Sequence, residues 1–169
     1  EDVSITTTGT VAGAYNAILA GSRGGNVNVT VGAGSVVQNS SLESDDLAVE
    51  LFSDGYIASN LSLTNNGKLI GTVVFSNGDN AGSQFVNNGL WNSTNGTNIF
   101  TTGEDRVTIN GVWDASGSTN FFKGQQILTR MAVDPSTFED VVTVSRGGEL
   151  IVGGGSVQDM ERGTSFEGL

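Results

Sequence analysis

The residues best equipped for chemistry in this chain are three acidic pairs, Asp45-Asp46, Glu104-Asp105 and Glu139-Asp140. Two facing carboxyls can cleave a polysaccharide by general acid and base catalysis, so the pairs define the enzyme reading to be weighed. Their spacing argues against it. Glu104-Asp105-Arg106-Val107-Thr108-Ile109 returns as Glu139-Asp140-Val141-Val142-Thr143-Val144, so the last two pairs hold equivalent places in a repeat and suit solvated corners better than one asymmetric catalytic centre. The chain contains no His and no Cys. A Ser-His-Asp triad, a Cys-His pair, a disulfide framework and the usual zinc sites are thereby excluded within it. Stacked Glu104/Glu139 and Asp105/Asp140 offer hard oxygen ligands of the kind calcium takes, yet no EF-hand loop or Gly-Gly-x-Gly-x-Asp array accompanies them, and the expectation is surface charge, with no metal and no cofactor.

The elements that would position such residues are legible through a register. Asn66-Gly67, Asn88-Gly89 and Asn110-Gly111 follow one another at a constant interval of 22 in the numbering. Leu69, Trp91 and Trp113 keep the same interval, as do Lys68, Leu90 and Val112, and Thr97-Asn98-Ile99-Phe100 recurs as Thr119-Asn120-Phe121-Phe122. Short alternating apolar runs mean strands with one buried face. In a hairpin an Asn-Gly pair would be a tight turn within an antiparallel sandwich or barrel. A fixed long-range interval favours a solenoid, in which residue i stacks on residue i+22 about 4.8 Å above it. The chain is therefore expected to be all-β, a right-handed parallel β-helix with rungs of about 22 residues. Asn66, Asn88 and Asn110 should form a ladder of amides, and Leu69, Trp91 and Trp113 a buried column rather than an exposed sugar platform.

One interruption is expected. From Glu104 to Glu139 the interval is 35, which exceeds the rung by 13, and the excess is placed within positions 125–138, where Arg130, Met131, Asp134, Pro135 and Phe138 form a candidate binding loop. Beyond it, Gly163-Thr164-Ser165-Phe166-Glu167-Gly168 resembles Ser118-Thr119-Asn120-Phe121-Phe122-Lys123-Gly124 with one residue missing, so the repeat is expected to resume there. Towards the amino terminus a looser form recurs: Val3-x-Ile5 leads to Gly9-x-Val11, Val49-x-Leu51 to Gly55-x-Ile57, Leu61-x-Leu63 to Gly67-x-Leu69 and Val142-x-Val144 to Gly148-x-Leu150. The solenoid is accordingly read across residues 1–169.

Composition agrees with a strand-and-turn chain: 25 Gly and one Pro among 169 residues, with 37% hydrophobic and 15% charged. A net charge of −11 would repel nucleic-acid phosphates and anionic headgroups, and it keeps exposed β-structure soluble. No apolar run approaches the roughly 18 residues of a membrane span. The start at Glu1-Asp2-Val3 lacks the regions of a signal peptide, so an export signal is expected outside this sequence.

The segments Phe85-Val86-Asn87-Asn88-Gly89-Leu90-Trp91-Asn92, Gly96-Thr97-Asn98-Ile99-Phe100-Thr101-Thr102-Gly103-Glu104-Asp105 and Thr164-Ser165-Phe166-Glu167-Gly168-Leu169 resemble passenger repeats of bacterial autotransporters of the pertactin and AIDA-like adhesin type. The resemblance spans residues 61–169. It implies export through a Gram-negative envelope and display at the cell surface through a translocator barrel outside this sequence. It also implies a non-catalytic role as adhesin or stalk scaffold, with a host-surface protein, a glycan or another bacterial cell as partner. The alternatives are a polysaccharide-degrading β-helix enzyme and a purely structural spacer or folding-promoting segment.

Overall fold

The computed structural model describes residues 1–40, 47–53, 59–77, 82–100 and 105–122, together with the backbone of the strands at residues 141–144, 149–151, 157–160 and 165–167. The described chain is a parallel β-solenoid of three-strand coils. The first coil comprises β1 (Val3–Thr7), β2 (Thr10–Gly13) and β3 (Asn16–Ser22), and the second β4 (Val27–Val31), β5 (Val36–Asn39) and β6 (Leu47–Ser53). The third holds β7 (Leu61–Asn65), β8 (Lys68–Ile70) and β9 (Thr72–Asn77), and the fourth β10 (Ser83–Asn87), β11 (Leu90–Asn92) and β12 (Thr97–Phe100). The fifth holds β13 (Arg106–Ile109), β14 (Val112–Asp114) and β15 (Thr119–Phe122), and the sixth β16 (Val141–Val144), β17 (Glu149–Ile151) and β18 (Val157–Met160). β19 (Ser165–Glu167) opens a seventh. Corresponding strands pair in parallel, giving one seven-stranded and two six-stranded sheets. At about 4.8 Å per coil the stack is about 30 Å long.

Alternation decides what each strand turns inward. Val27, Val29 and Val31 in β4, and Leu61 and Leu63 in β7, are essentially fully buried, while Asn28 is exposed and Thr30 half-buried. Parallel pairing then piles these inward positions into columns. On the first sheet Ile5, Val29, Leu63, Phe85 and Val107 share one column. On the second, Val11, Val37, Leu69, Trp91 and Trp113 share another. On the third, Phe75 and Phe100 stack with ring centres 5.3 Å apart. The interior is filled by side chains, and burial of these columns against one another drives the stack.

The interval of 22 holds on the first sheet from the third coil to the fifth, where Leu61 pairs with Ser83 and Gln84 with Arg106. It does not extend to the amino-terminal coils. Val3 pairs with Val27 and Val27 with Leu61, so the interval is 24 at the first step and 34 at the second. Strands must match in a solenoid but corners need not, so extra residues enter between strands without disturbing the stack. For the same reason the register breaks more than once after the fifth coil. Val107 pairs with Val142 at an interval of 35, but Trp113 pairs with Leu150 at 37 and Thr119 with Val157 at 38. The segment 125–138, with Arg130, Met131, Asp134, Pro135 and Phe138, lies outside the described residues.

Two further expectations are corrected. The repeat does resume at Ser165–Glu167, but not at the position its likeness to residues 118–124 suggests: β19 pairs with β16, setting Phe166 beside Val142 on the first sheet, and Val157–Met160 occupies the place above β15. Val49-x-Leu51 belongs to the third sheet, whereas Val3-x-Ile5, Leu61-x-Leu63 and Val142-x-Val144 belong to the first; its place there in the second coil is taken by Val27-x-Val29. Alternating Val and Leu, or a Thr-x-Phe cluster near Gly, fits any of three similar faces, and pairing with the adjacent coils decides which.

Candidate functional site

The most ordered chemistry of the molecule sits where the first sheet turns into the second. Asn65, Asn87 and Ile109 end their strands pointing inward, and the next residues, Asn66, Asn88 and Asn110, point out. Outside, Nδ2 of Asn88 donates to Oδ1 of Asn66 at 2.8 Å, and Nδ2 of Asn110 donates to Oδ1 of Asn88 at 2.6 Å. Inside, a second row runs parallel: Nδ2 of Asn65 donates to Oδ1 of Asn87 at 2.7 Å and to the carbonyl of Leu90 at 2.9 Å, while Nδ2 of Asn87 donates to the carbonyl of Val112 at 2.8 Å. Asn65 and Asn87 are fully buried, so these bonds satisfy amides that would otherwise carry a desolvation cost.

The glycine that follows explains how closely the corner packs. A β-carbon on Gly89 would run into the carbonyl oxygen of Gly67, and one on Gly111 into that of Gly89. Neither glycine has positive φ, so the requirement is close approach of backbone rather than an unusual turn. Across this contact the N–H of Leu90 donates to the Gly67 carbonyl at 3.0 Å and that of Val112 to the Gly89 carbonyl at 2.9 Å.

Leu69, Trp91 and Trp113 are fully buried just beyond that corner. The two indoles stack 4.2 Å apart and 9° from parallel. Nε1 of Trp91 donates to the Gly71 carbonyl at 3.2 Å and Nε1 of Trp113 to Oγ of Ser93 at 2.9 Å, so each buried polar edge is answered. These rings face the core and present no surface to a sugar.

Of the acidic pairs, Asp45, Asp46, Glu104, Glu139 and Asp140 lie outside the described residues. Asp105 does not sit on a solvated corner. It is 1% exposed, and one of its oxygens accepts the backbone N–H of Ser83 at 3.1 Å. Alternation accounts for this: Arg106 faces out and Val107 in, which leaves the position before Arg106 facing in as well. Among the described residues no group of three or more acidic side chains converges as a metal would require.

Three features were not singled out in the sequence. The buried Asn65/Asn87 row lies beside the exposed one, and its signal was the doubled asparagine in Asn65-Asn66-Gly67 and Asn87-Asn88-Gly89. A third row joins Asn98 to Asn120 inside the third sheet at 2.7 Å, with Oδ1 of Asn98 also accepting the Val73 N–H at 2.8 Å; the recurrence of Thr-Asn-x-Phe marked it. Finally, Leu19, Glu50, Val74, Ile99 and Phe121 fall in register on the outer face of the third sheet. Leu19 is 57% exposed, and Oε2 of Glu50 accepts from Nδ2 of Asn16 at 2.9 Å.

No family model matches the chain, and no curated protein or solved structure does. The arrangement itself is one of positioning: rails of amides and a stack of rings fix each coil on the next.

Proposed function

We propose that this chain is a non-catalytic, surface-displayed passenger segment of the autotransporter type, serving as an adhesin or stalk scaffold. The observation that supports this reading most is the unbroken parallel stacking of coils, pinned in the third to fifth by two rows of hydrogen-bonded amides on the corner between the first and second sheets. Such a stack is stiff along its axis, because sliding one coil on another breaks backbone and side-chain bonds together. Stiffness of that kind suits a body that holds contact surfaces away from a cell. The absence of His and Cys from the sequence and the burial of Asp105 fit a scaffold better than a hydrolytic centre.

The partners proposed are a host-surface protein, a glycan or another bacterial cell, with the 125–138 segment supplying contact residues. The test is to present the purified chain to glycan and matrix-protein arrays, alongside a variant lacking residues 125–138, and to assay the same polysaccharides for cleavage. Saturable binding without cleavage, weakened in the deletion variant, is the expected result. Cleavage of any polysaccharide would replace the reading with the enzyme one. Binding to nothing over a broad panel would leave a spacer, and undiminished binding by the variant would remove the segment from the proposal.

A further inference from the structure

Five Asn-Gly pairs occur in the chain, and four of them have both members among the described residues: Asn66-Gly67, Asn88-Gly89, Asn95-Gly96 and Asn110-Gly111. Asparagine is a chemically labile residue, and a following glycine makes it more so, because no side chain shields the backbone nitrogen. In the reaction that nitrogen attacks Cγ of the asparagine, losing its proton, and the side-chain nitrogen departs as ammonia. Water then opens the cyclic imide to aspartate or isoaspartate, releasing a proton from the new carboxyl. No enzyme or co-reactant other than water is needed.

We propose that these pairs form an ordered set of spontaneous modification sites, in which the exposed amide ladder protects Asn88 most, Asn66 and Asn110 less, and leaves Asn95 as the first to convert. The nucleophile does not set the order, since all four glycine nitrogens are engaged. Gly67 donates to Oδ1 of Asn65 at 3.1 Å, Gly89 to the Asn65 carbonyl at 3.1 Å, Gly111 to the Asn87 carbonyl at 2.9 Å and Gly96 to the Ser93 carbonyl at 2.9 Å. The electrophile differs. Its carboxamide must swing onto the chain to react. Asn88 is held at both ends, accepting from Asn110 and donating to Asn66. Asn66 only accepts along the ladder and Asn110 only donates. The side chain of Asn95 makes no hydrogen bond with the described residues, is exposed, and springs from a backbone at φ 59°.

The order has a structural consequence. Conversion at Asn95 adds a negative charge to a corner that carries no ladder. Conversion at Asn88 replaces the donor to Asn66 with a second oxygen, so that acceptor faces acceptor and the ladder parts. The rail is thus a guard on its own chemistry as well as a fastening, and this holds whatever the passenger binds.

Peptide mapping by mass spectrometry, with isoaspartate quantified at each site, tests the proposal on the whole chain incubated folded and in urea. In the folded protein Asn95 converts fastest and Asn88 slowest, by roughly twentyfold, or about fivefold for each ladder bond that must open first. In urea the four rates converge. In the variant Asn110→Ala, which trims an exposed side chain, Asn88 converts about fivefold faster because one bond is gone, and Asn95 keeps its rate. Equal rates at Asn88 and Asn95 in the folded chain overturn the proposal, as does an Asn88 rate in the variant unchanged from the parent. The folded-against-urea comparison on the parent chain decides the first of these without any variant.

Discussion

The two amino-terminal coils and the three that follow solve the same stacking problem with different materials. The interior of the first two is largely aliphatic, built from Ile18 and Ala20 in the first coil and Val27, Val29, Val31, Val37, Val49 and Leu51 in the second, and the first-sheet pairing intervals are unequal, 24 and then 34. Both buried hydroxyls that lack a partner among the described residues, Thr7 Oγ1 and Ser53 Oγ, lie there. The third to fifth coils keep the interval at 22 on the first and second sheets, and place amide rows, two indoles and three phenyl rings inside and along the corner. Aliphatic columns with scattered polar ties, such as Asn16 to Glu50 and Ser35 to the Thr7 carbonyl, thus stack coils at unequal intervals, whereas the stacked amide rows of one corner go with a strict one. A methyl tolerates a small slide along the axis. A hydrogen-bonded amide does not.

Truncation of a ring gives the largest contrast. Trp91→Ala is expected to cost about 3–5 kcal/mol, while Val37→Ala, in the same column two coils earlier, costs about 2 kcal/mol. Urea denaturation of the two variants measures both, and equal losses would break the distinction. Next comes the inner amide row. Asn87→Ala leaves one of the two N–H groups of Asn65 Nδ2 without its acceptor in the core, takes the side-chain donor from the Val112 carbonyl and should cost about 1–3 kcal/mol, whereas Asn88→Ala, one residue on and facing water, should cost less than about 1 kcal/mol. A larger loss at Asn88 would show that the outer rail, not the inner one, ties the coils.

The corner glycines sharpen the comparison further. Gly89→Ala drives a methyl into the Gly67 carbonyl and should cost about 1–3 kcal/mol. Gly9→Ala, in the corresponding corner of the first coil, meets nothing within 4 Å and should stay within about 0.5 kcal/mol of the parent. Thermal melts followed by circular dichroism separate these outcomes. The smallest effect is assigned to Thr7→Val. Removing a buried hydroxyl that has no partner should leave stability unchanged or raise it by up to about 1 kcal/mol, and a clear loss in the same melts would mean that the hydroxyl is satisfied after all.

The same contrast governs how much could be read from residues alone. The parallel solenoid was legible because Asn-Gly and Trp are uncommon enough that chance rarely repeats them together at one interval. The amino-terminal coils were harder, because Val-x-Val suits every face and corners of unequal length erase the interval. Thus Val49-x-Leu51 was grouped with segments that lie on another sheet, and Val27-x-Val29 was passed over. At the corner, two adjacent asparagines of identical type have opposite fates, one sealed in the core and one in water. Only the pleat distinguishes Asn87 from Asn88, and a residue-type pattern does not carry the pleat through a bend. Asp105 shows the converse, a carboxylate whose type suggests water and whose strand parity turns it inward.

The stacked indoles, finally, make the molecule its own spectroscope. The chain has two tryptophans, and both sit face to face across the junction of the fourth and fifth coils. Both indoles are sealed in the core at that junction, so their emission reports its packing. Any event that parts these two coils, from pulling on the ends to invasion by a competing strand, would bring the rings into water and shift that emission to the red while the remaining sheet signal persists, reporting on a single layer of the stack without a label.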